Sequence, residues 1–239
     1  MIKLNADLGE SFGHYRLGMD EEIMPLIDMA NIACGFHAGD PIIMDKTVLL
    51  AKNSGVEIGA HPGYPDLLGF GRRSMKCSAM EIENYIIYQA GALDAFCKKH
   101  KTDIKYIKPH GALYNDMMGD AEVFRAVLNA AAGLNLPVMI LSSSKNEEYE
   151  KIAHEFGVKL IYEVFADRNY TDEGFLVPRT RENAVISDKN EILERVLMFK
   201  EGYILSENKK VLNLKVDTIC VHGDNEKALE IIKAVREVL

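Results

Sequence analysis

The 239-residue chain has no apolar run long enough to span a membrane. It has no excess of basic charge either. Its 36 acidic residues outnumber 28 Lys and Arg for a formal net charge of −8, which argues against a nucleic-acid partner. The one basic run, Lys98-Lys99-His100-Lys101, falls where a helix should end and suits the helix dipole there. The four cysteines (Cys34, Cys77, Cys97 and Cys220) include no Cys-x-x-Cys pair. Three of them lie in or beside expected strands and helices, where a thiol packs as a small apolar group. Met1 leads almost directly into the first strand without a signal-like region, so a reducing cytoplasm is the expected setting. There is no Gly-x-x-x-x-Gly-Lys-Ser/Thr loop, and Gly69-Phe70-Gly71-Arg72-Arg73 does not carry a strand into a helix. The chain by itself therefore shows no nucleotide-binding signature.

What is present is a recurring pattern. Short apolar runs end in chemically capable residues: Ile2–Ala6 in Asp7, Ala30–Phe36 in His37, Val56–Ala60 in His61. Ile104–Ile107 leads into Lys108 and His110, and Thr218–Val221 into His222. Strands are expected near residues 2–7, 29–35, 56–61, 104–109, 137–142, 159–164 and 217–222. Helix starts lie between them. Asp40-Pro41 places a capping side chain before a first-turn proline, and Ser78-Ala79-Met80-Glu81 fits a capping box. The helix after Ser78 should bury Ile82, Tyr85, Ile86, Leu93, Phe96 and Cys97. Asp224 should cap a last helix that buries Leu229, Ile232, Val235 and Leu239. Alternating strands and helices imply a mainly parallel α/β sheet. No linker, repeat or low-complexity tract interrupts it, so a single domain over 1–239 is expected.

In a parallel barrel or doubly wound sheet, residues just past the carboxyl ends of the strands converge on one crevice. That makes the scattered polar residues one candidate active site. Asp7 and Glu10 can serve as base or metal ligand, or cap the turn after the first strand. Asp7, His37 and His61 form a plausible three-ligand metal set, although they come from separate turns; the histidines can equally bind a carboxylate or shuttle protons. Lys108-Pro109-His110 sets an anion contact beside an acid/base group. His222-Gly223-Asp224 repeats the arrangement, with Asp224 either capping the helix or orienting the imidazole. Two loops, Pro62–Lys76 and Phe165–Ser187, are long enough to be lids, or else packing extensions or subunit contacts. Gly9-Glu10-Ser11-Phe12-Gly13 matches a nucleophile elbow, yet only eight residues precede it and loop follows it, so Ser11 is not expected to be a nucleophile.

Six segments share a resemblance: NADLGESFG from Asn5, ANIACGFHAGDP from Ala30, GAHPGYPDLLGFGRR from Gly59, YIKPHGALYN from Tyr106, VPRT from Val177 and TICVHGDN from Thr218. In this order they resemble the LamB/YcsF family. The resemblance implies an irregular seven-stranded parallel β/α barrel like those of the glycoside hydrolase/deacetylase superfamily. It also implies cleavage of 5-oxo-L-proline to L-glutamate by a 5-oxoprolinase, with ATP hydrolysis supported by partner subunits B and C. On that reading the partners phosphorylate the lactam oxygen and this chain delivers water. The candidate catalytic residues are Asp7, His110, His222 and Asp224. Glu10, Lys108, Arg72 and Arg168 are candidate substrate contacts, and His37, His61 and Asp7 candidate ligands for a divalent metal. Two alternatives stand beside it: a metal-dependent deacetylase of N-acetylated carbohydrate, and a non-catalytic lactam-binding subunit.

Overall fold

The computed structural model describes residues 1–221 and 226–239, with only the backbone of 226 and 227. His222 and Asp224, two of the candidate catalytic residues, lie outside the described residues. The strands are β1 (Lys3–Leu8), β2 (Met29–Ala33), β3 (Glu57–His61), β4 (Ile104–Ile107), β5 (Val138–Leu141), β6 (Leu160–Phe165), β7 (Tyr203–Leu205), β8 (Val211–Asn213) and β9 (Thr218–Val221). Seven of them form a closed barrel in the order β1-β2-β3-β4-β5-β6-β9, and β9 pairs back onto β1. Every barrel pairing is parallel. The barrel expected from the sequence is the barrel observed. The antiparallel β7–β8 hairpin was not expected. Its three-residue strands are too short to show an alternation.

The helices are α1 (Asp20–Ile23), α2 (Pro41–Ser54), α3 (Ala79–Lys99), α4 (Gly111–Gly119), α5 (Ala121–Leu134), α6 (Asn146–Glu155), α7 (Lys189–Lys200) and α8 (Glu226–Val238). Local signals start α2 and α3 as the sequence suggests, while the Asp224 cap expected for α8 lies outside the described residues. The Asp40 carboxylate accepts from the N–H groups of Ile42 and Ile43, satisfying two of the donors a helix start leaves over. Ser78 and Glu81 form the reciprocal capping box of α3. Helix α3 buries Ile82, Ile86, Leu93 and Cys97 as its spacing predicts, whereas Tyr85 and Phe96 are half-buried. It also buries Gln89, whose amide holds both the N–H and the carbonyl of Gly63.

Strand parity separates two interiors. Leu4, Ala6, Leu8, Ala30, Ile32, Ile58, Ala60, Val138, Ile140, Val164 and Ile219 pack outward into the core beneath the helices. Each fully buried aliphatic side chain there contributes about 1.5–3 kcal/mol. The alternate positions form a separate small cluster of Met29, Tyr106 and Met139 with Ile161 against it. Gly59 is required at this level, because a Cβ there would overlap the Tyr106 ring. Further alternate positions carry the polar residues Asn5, Asp7, Asn31, His61, Lys108, Glu163 and Thr218. A barrel of seven strands thus carries an apolar floor and a polar upper layer that opens at the carboxyl ends.

Candidate functional site

Glu10, His37, His61 and His110 meet where β1, β2, β3 and β4 end, with one ligand atom from each within 4.8 Å of the others. His37 and His61 are 0% and 1% exposed. The rings of His37 and His110 stack at 3.6 Å between centroids, and His61 stands edge-on to both. Glu10 Oε1 lies 3.3 Å from His37 Nε2 and 3.7 Å from His110 Nδ1. Gly71, at φ +62°, passes so close that a Cβ would sit 2.7 Å from the His37 Cβ. Its left-handed backbone and the space both call for glycine.

Hydrogen bonding fixes the tautomers. His61 Nδ1 is 2.7 Å from the carbonyl of Lys108, and a carbonyl only accepts, so Nδ1 carries the proton and Nε2 a lone pair. His110 Nε2 donates in the same way to the carbonyl of Phe70 at 2.8 Å, leaving Nδ1 as the lone pair. These two lone pairs face each other across 2.9 Å. Two acceptors that close repel unless a cation, a proton or a metal ion, lies between them. Burial, reinforced by neighbouring histidines, holds His37 and His110 well below the ordinary histidine range, which favours neutral rings. Neither ring nitrogen of His37 makes a hydrogen bond among the described residues. Three imidazoles and a carboxylate are a donor set suited to a divalent transition metal. The residues fit such an ion.

A second polar group lies directly beneath. The Lys108 ammonium, on a residue 3% exposed, is 2.8 Å from Asp7 Oδ1 and 2.7 Å from Glu163 Oε1. Its remaining neighbours are Asn5 Oδ1 at 3.3 Å and Cys220 Sγ at 3.4 Å. Burial opposes the charge, but the surrounding anionic groups, Asp7 first, outweigh it and push Lys108 well above the ordinary lysine range. Asn31 donates to Asp7 Oδ1 at 2.8 Å and to Asn5, and the Tyr106 hydroxyl donates to Asn31. Tyr114 donates to Glu163 Oε2 at 2.7 Å. Asp7 Oδ2 is left facing His61 Nε2 at 3.4 Å, which joins the two groups.

The structure therefore brings together Asp7, Glu10, His37, His61, Lys108 and His110. Glu10 and His110, expected as a substrate contact and a catalytic residue, stand with His37 and His61 in the cluster whose donor atoms fit a metal ion, while Asp7 borders it. Arg72 is exposed at the rim, its guanidinium over the Phe70 ring, which in turn meets His37 and His110 edge-on. Arg168 lies in the 165–187 loop and donates to the carbonyls of Val177 and Ala184, tying that loop together. Ser11 is spent on the Leu17 backbone, accepting from its N–H at 2.9 Å. Glu163, Asn31 and Tyr114 were not singled out from the sequence. The available signal was a charged or amide residue inside an otherwise apolar strand, such as Glu163 in Ile161-Tyr162-Glu163-Val164-Phe165.

The match to known proteins runs from end to end. The family model of the LamB/YcsF family covers residues 2–239. The chain belongs to the LamB/YcsF family. This LamB/YcsF protein is 54% identical over 239 residues to the A subunit of 5-oxoprolinase from Vibrio campbellii, spanning all of this chain and 95% of the relative. It is also 54% identical to the corresponding 5-oxoprolinase subunit of Pyrococcus horikoshii, over all of this chain and 93% of that one. Among solved structures it is similar to the lactam utilization protein from Thermus thermophilus, with a TM-score of 0.92 and 41% identity over 100% and 95% of the two chains. A putative cellobiose-phosphate cleavage protein from Enterococcus faecalis shares the fold alone, at 14% identity and a TM-score of 0.56 over 99% of this chain and 92% of that one.

Proposed function

We propose that this chain is the ring-opening subunit of an ATP-dependent 5-oxoprolinase that works with two partner subunits, B and C. The observation that carries this reading is full-length similarity, at 54% identity, to proteins named as the A subunit of 5-oxoprolinase, in a chain whose barrel mouth holds a buried carboxylate beside a histidine cluster. Overall, 5-oxo-L-proline and water give L-glutamate. Water adds its oxygen to the lactam carbon, the carbon–nitrogen bond breaks, and a proton passes to the departing nitrogen. Opening an unstrained lactam is uphill, so ATP on the partners drives it: the γ-phosphoryl group passes to the lactam oxygen with release of ADP, ring opening by water then leaves an acyl phosphate, and a second water releases it as inorganic phosphate to give L-glutamate.

Within this chain, Asp7 Oδ2 is placed to take a proton from the attacking water, since Oδ1 is already held by Lys108 and Asn31. His110 and His61 are held by backbone carbonyls so that their unprotonated nitrogens point into the mouth. Arg72, exposed at the rim, supplies positive charge for the substrate carboxylate or phosphate, whereas Arg168, expected there too, has its guanidinium on the carbonyls of Val177 and Ala184 and serves the loop instead. A divalent ion held by Glu10, His37, His61 and His110 would polarise a bound oxygen. The same donor set favours, as a second reading, metal-dependent deacetylation of an N-acetylated carbohydrate.

The test is to mix the purified chain with candidate B and C subunits and follow glutamate formation from 5-oxoproline with and without ATP. ATP-dependent glutamate that requires this chain is the expected result. A formed complex that turns over ATP without yielding glutamate would overturn the assignment and move the deacetylase assay forward. Stoichiometric binding of 5-oxoproline with normal turnover in Asp7→Asn would instead favour a lactam-presenting role.

A further inference from the structure

The ammonium of Lys108 has three N–H donors and three hydrogen-bond acceptors, Asp7 Oδ1, Asn5 Oδ1 and Cys220 Sγ, while Glu163 Oε1 stands 2.7 Å away as an ion-pair partner. No N–H is directed at the open mouth. Neutralising Asp7 needs only one cation, so the second carboxylate, on a residue 0% exposed, calls for its own explanation. Burying an extra carboxylate is costly. Glu163 is nevertheless firmly built in. Strand β6 sets its backbone between β5 and β9, paired with Leu141 and Thr218, and Tyr114 fixes its outer oxygen. Two residues on, Phe165 closes the same side, its ring 5.6 Å from the Lys108 Nζ.

We infer that Glu163 is a positioning residue of the reaction centre: with Tyr114 it clamps the Lys108 ammonium against Asp7 Oδ1 and so fixes which Asp7 oxygen faces the mouth. The inference rests on the proposed role of Asp7 in water activation. It gives Lys108 a different task from the substrate contact expected of a strand-end lysine. A lysine stem has four rotatable carbons, and with one carboxylate partner and only weaker contacts to Asn5 at 3.3 Å and Cys220 at 3.4 Å its head group has freedom to swing. With a second carboxylate 2.7 Å away it is held between two anions. The consequence is carried to Asp7, whose Oδ1 is held by Lys108 and Asn31 while Oδ2 remains turned toward His61. Outer partners of this kind, which orient a reacting group without touching substrate, commonly change activity roughly 10–100-fold when removed.

Glu163→Gln tests this with little change of shape, since the amide oxygen still accepts from Tyr114. In the complex with the partner subunits, kcat should fall by roughly 10–100-fold with KM within about twofold. In a Lys108→Met background the same substitution should cause no further fall, because the effect passes through the lysine. Additive losses, or a KM effect alone, would overturn the proposal. A second measurement needs no turnover: the 15Nζ–1H signal of Lys108 in the isolated chain. It should be sharp and protected in the wild type and lost to solvent exchange in Glu163→Gln. An unchanged signal rejects the clamp whatever the substrate is. If the wild-type complex makes no glutamate, the 5-oxoprolinase reading fails and the lysine signal alone decides the clamp.

Discussion

Two buried polar regions meet at the barrel mouth, and they are satisfied in opposite ways. Around Lys108 the donors and acceptors match: an ammonium, two carboxylates, two asparagines and two tyrosine hydroxyls each meet a partner of the other kind. In the histidine cluster, acceptor faces acceptor, with His61 Nε2 and His110 Nδ1 2.9 Å apart and Glu10 Oε1 close by. A completed network holds a geometry, whereas a set of converging lone pairs is complete only with a cation. The first region reads as support and the second as a binding site.

The sharpest way to break this contrast is to remove Lys108. Lys108→Ala leaves Asp7 and Glu163 buried without their shared cation, and about 3–5 kcal/mol of stability should be lost in urea denaturation. A loss under about 1 kcal/mol would mean the network is not closed as described. Next comes the cation itself. After chelation, adding Zn²⁺ or Mn²⁺ should restore one ion per chain by elemental analysis and raise the melting temperature, by about 2.7 kcal/mol of stabilisation at a free ion concentration near 100 times Kd. His61→Ala and His110→Ala should lose that gain; unchanged metal content in both would dissolve the comparison.

A smaller effect concerns Asp20, whose carboxylate accepts from the Gly9 N–H at the base of the loop that carries Glu10. Burial raises its pKa from 3.8 to about 6. A group raised in the folded state adds stability that is complete below the unfolded pKa and lost as pH rises through the folded one. Asp20 should therefore favour folding as pH falls from 7 toward 4. Asp20→Asn should flatten that part of a melting-temperature profile, and parallel profiles would contradict it. The smallest effect belongs to Ser11→Ala, which removes two exposed hydrogen bonds with Leu17, one donated to its carbonyl and one accepted from its N–H. Stability should change by less than about 1.5 kcal/mol and turnover should not change; lost turnover with normal folding would reinstate Ser11 as a nucleophile.

Much of the barrel was legible because its signals are local. Asp40-Pro41 and the Ser78/Glu81 box start helices through neighbouring N–H groups, and apolar runs ending in Asp7, His61 or Lys108 mark strand ends wherever the strands go. The β7–β8 hairpin escaped notice because three-residue strands leave no periodicity. Glu163 escaped because it lies inside a strand, away from the strand-end pattern, and its importance comes from Lys108, 55 positions earlier in the chain. The site was partly legible too: Asp7, Glu10, His37, His61, Lys108 and His110 were each named from position alone.

What position alone could not give was the division of labour among them. The amino-acid sequence by itself determined the alternation of strands and helices, and hence that residues past the strand ends converge. Only the tertiary structure decided that Glu10 and His110 join His37 and His61 while Asp7 is drawn toward Lys108. The reason is closure. Strand register around the barrel sets which side chains share a level, and the backbone carbonyls of Phe70 and Lys108, delivered by distant segments, choose the nitrogen each histidine presents. Those partners are separated by tens of residues along the chain, so no local rule of sequence contains them.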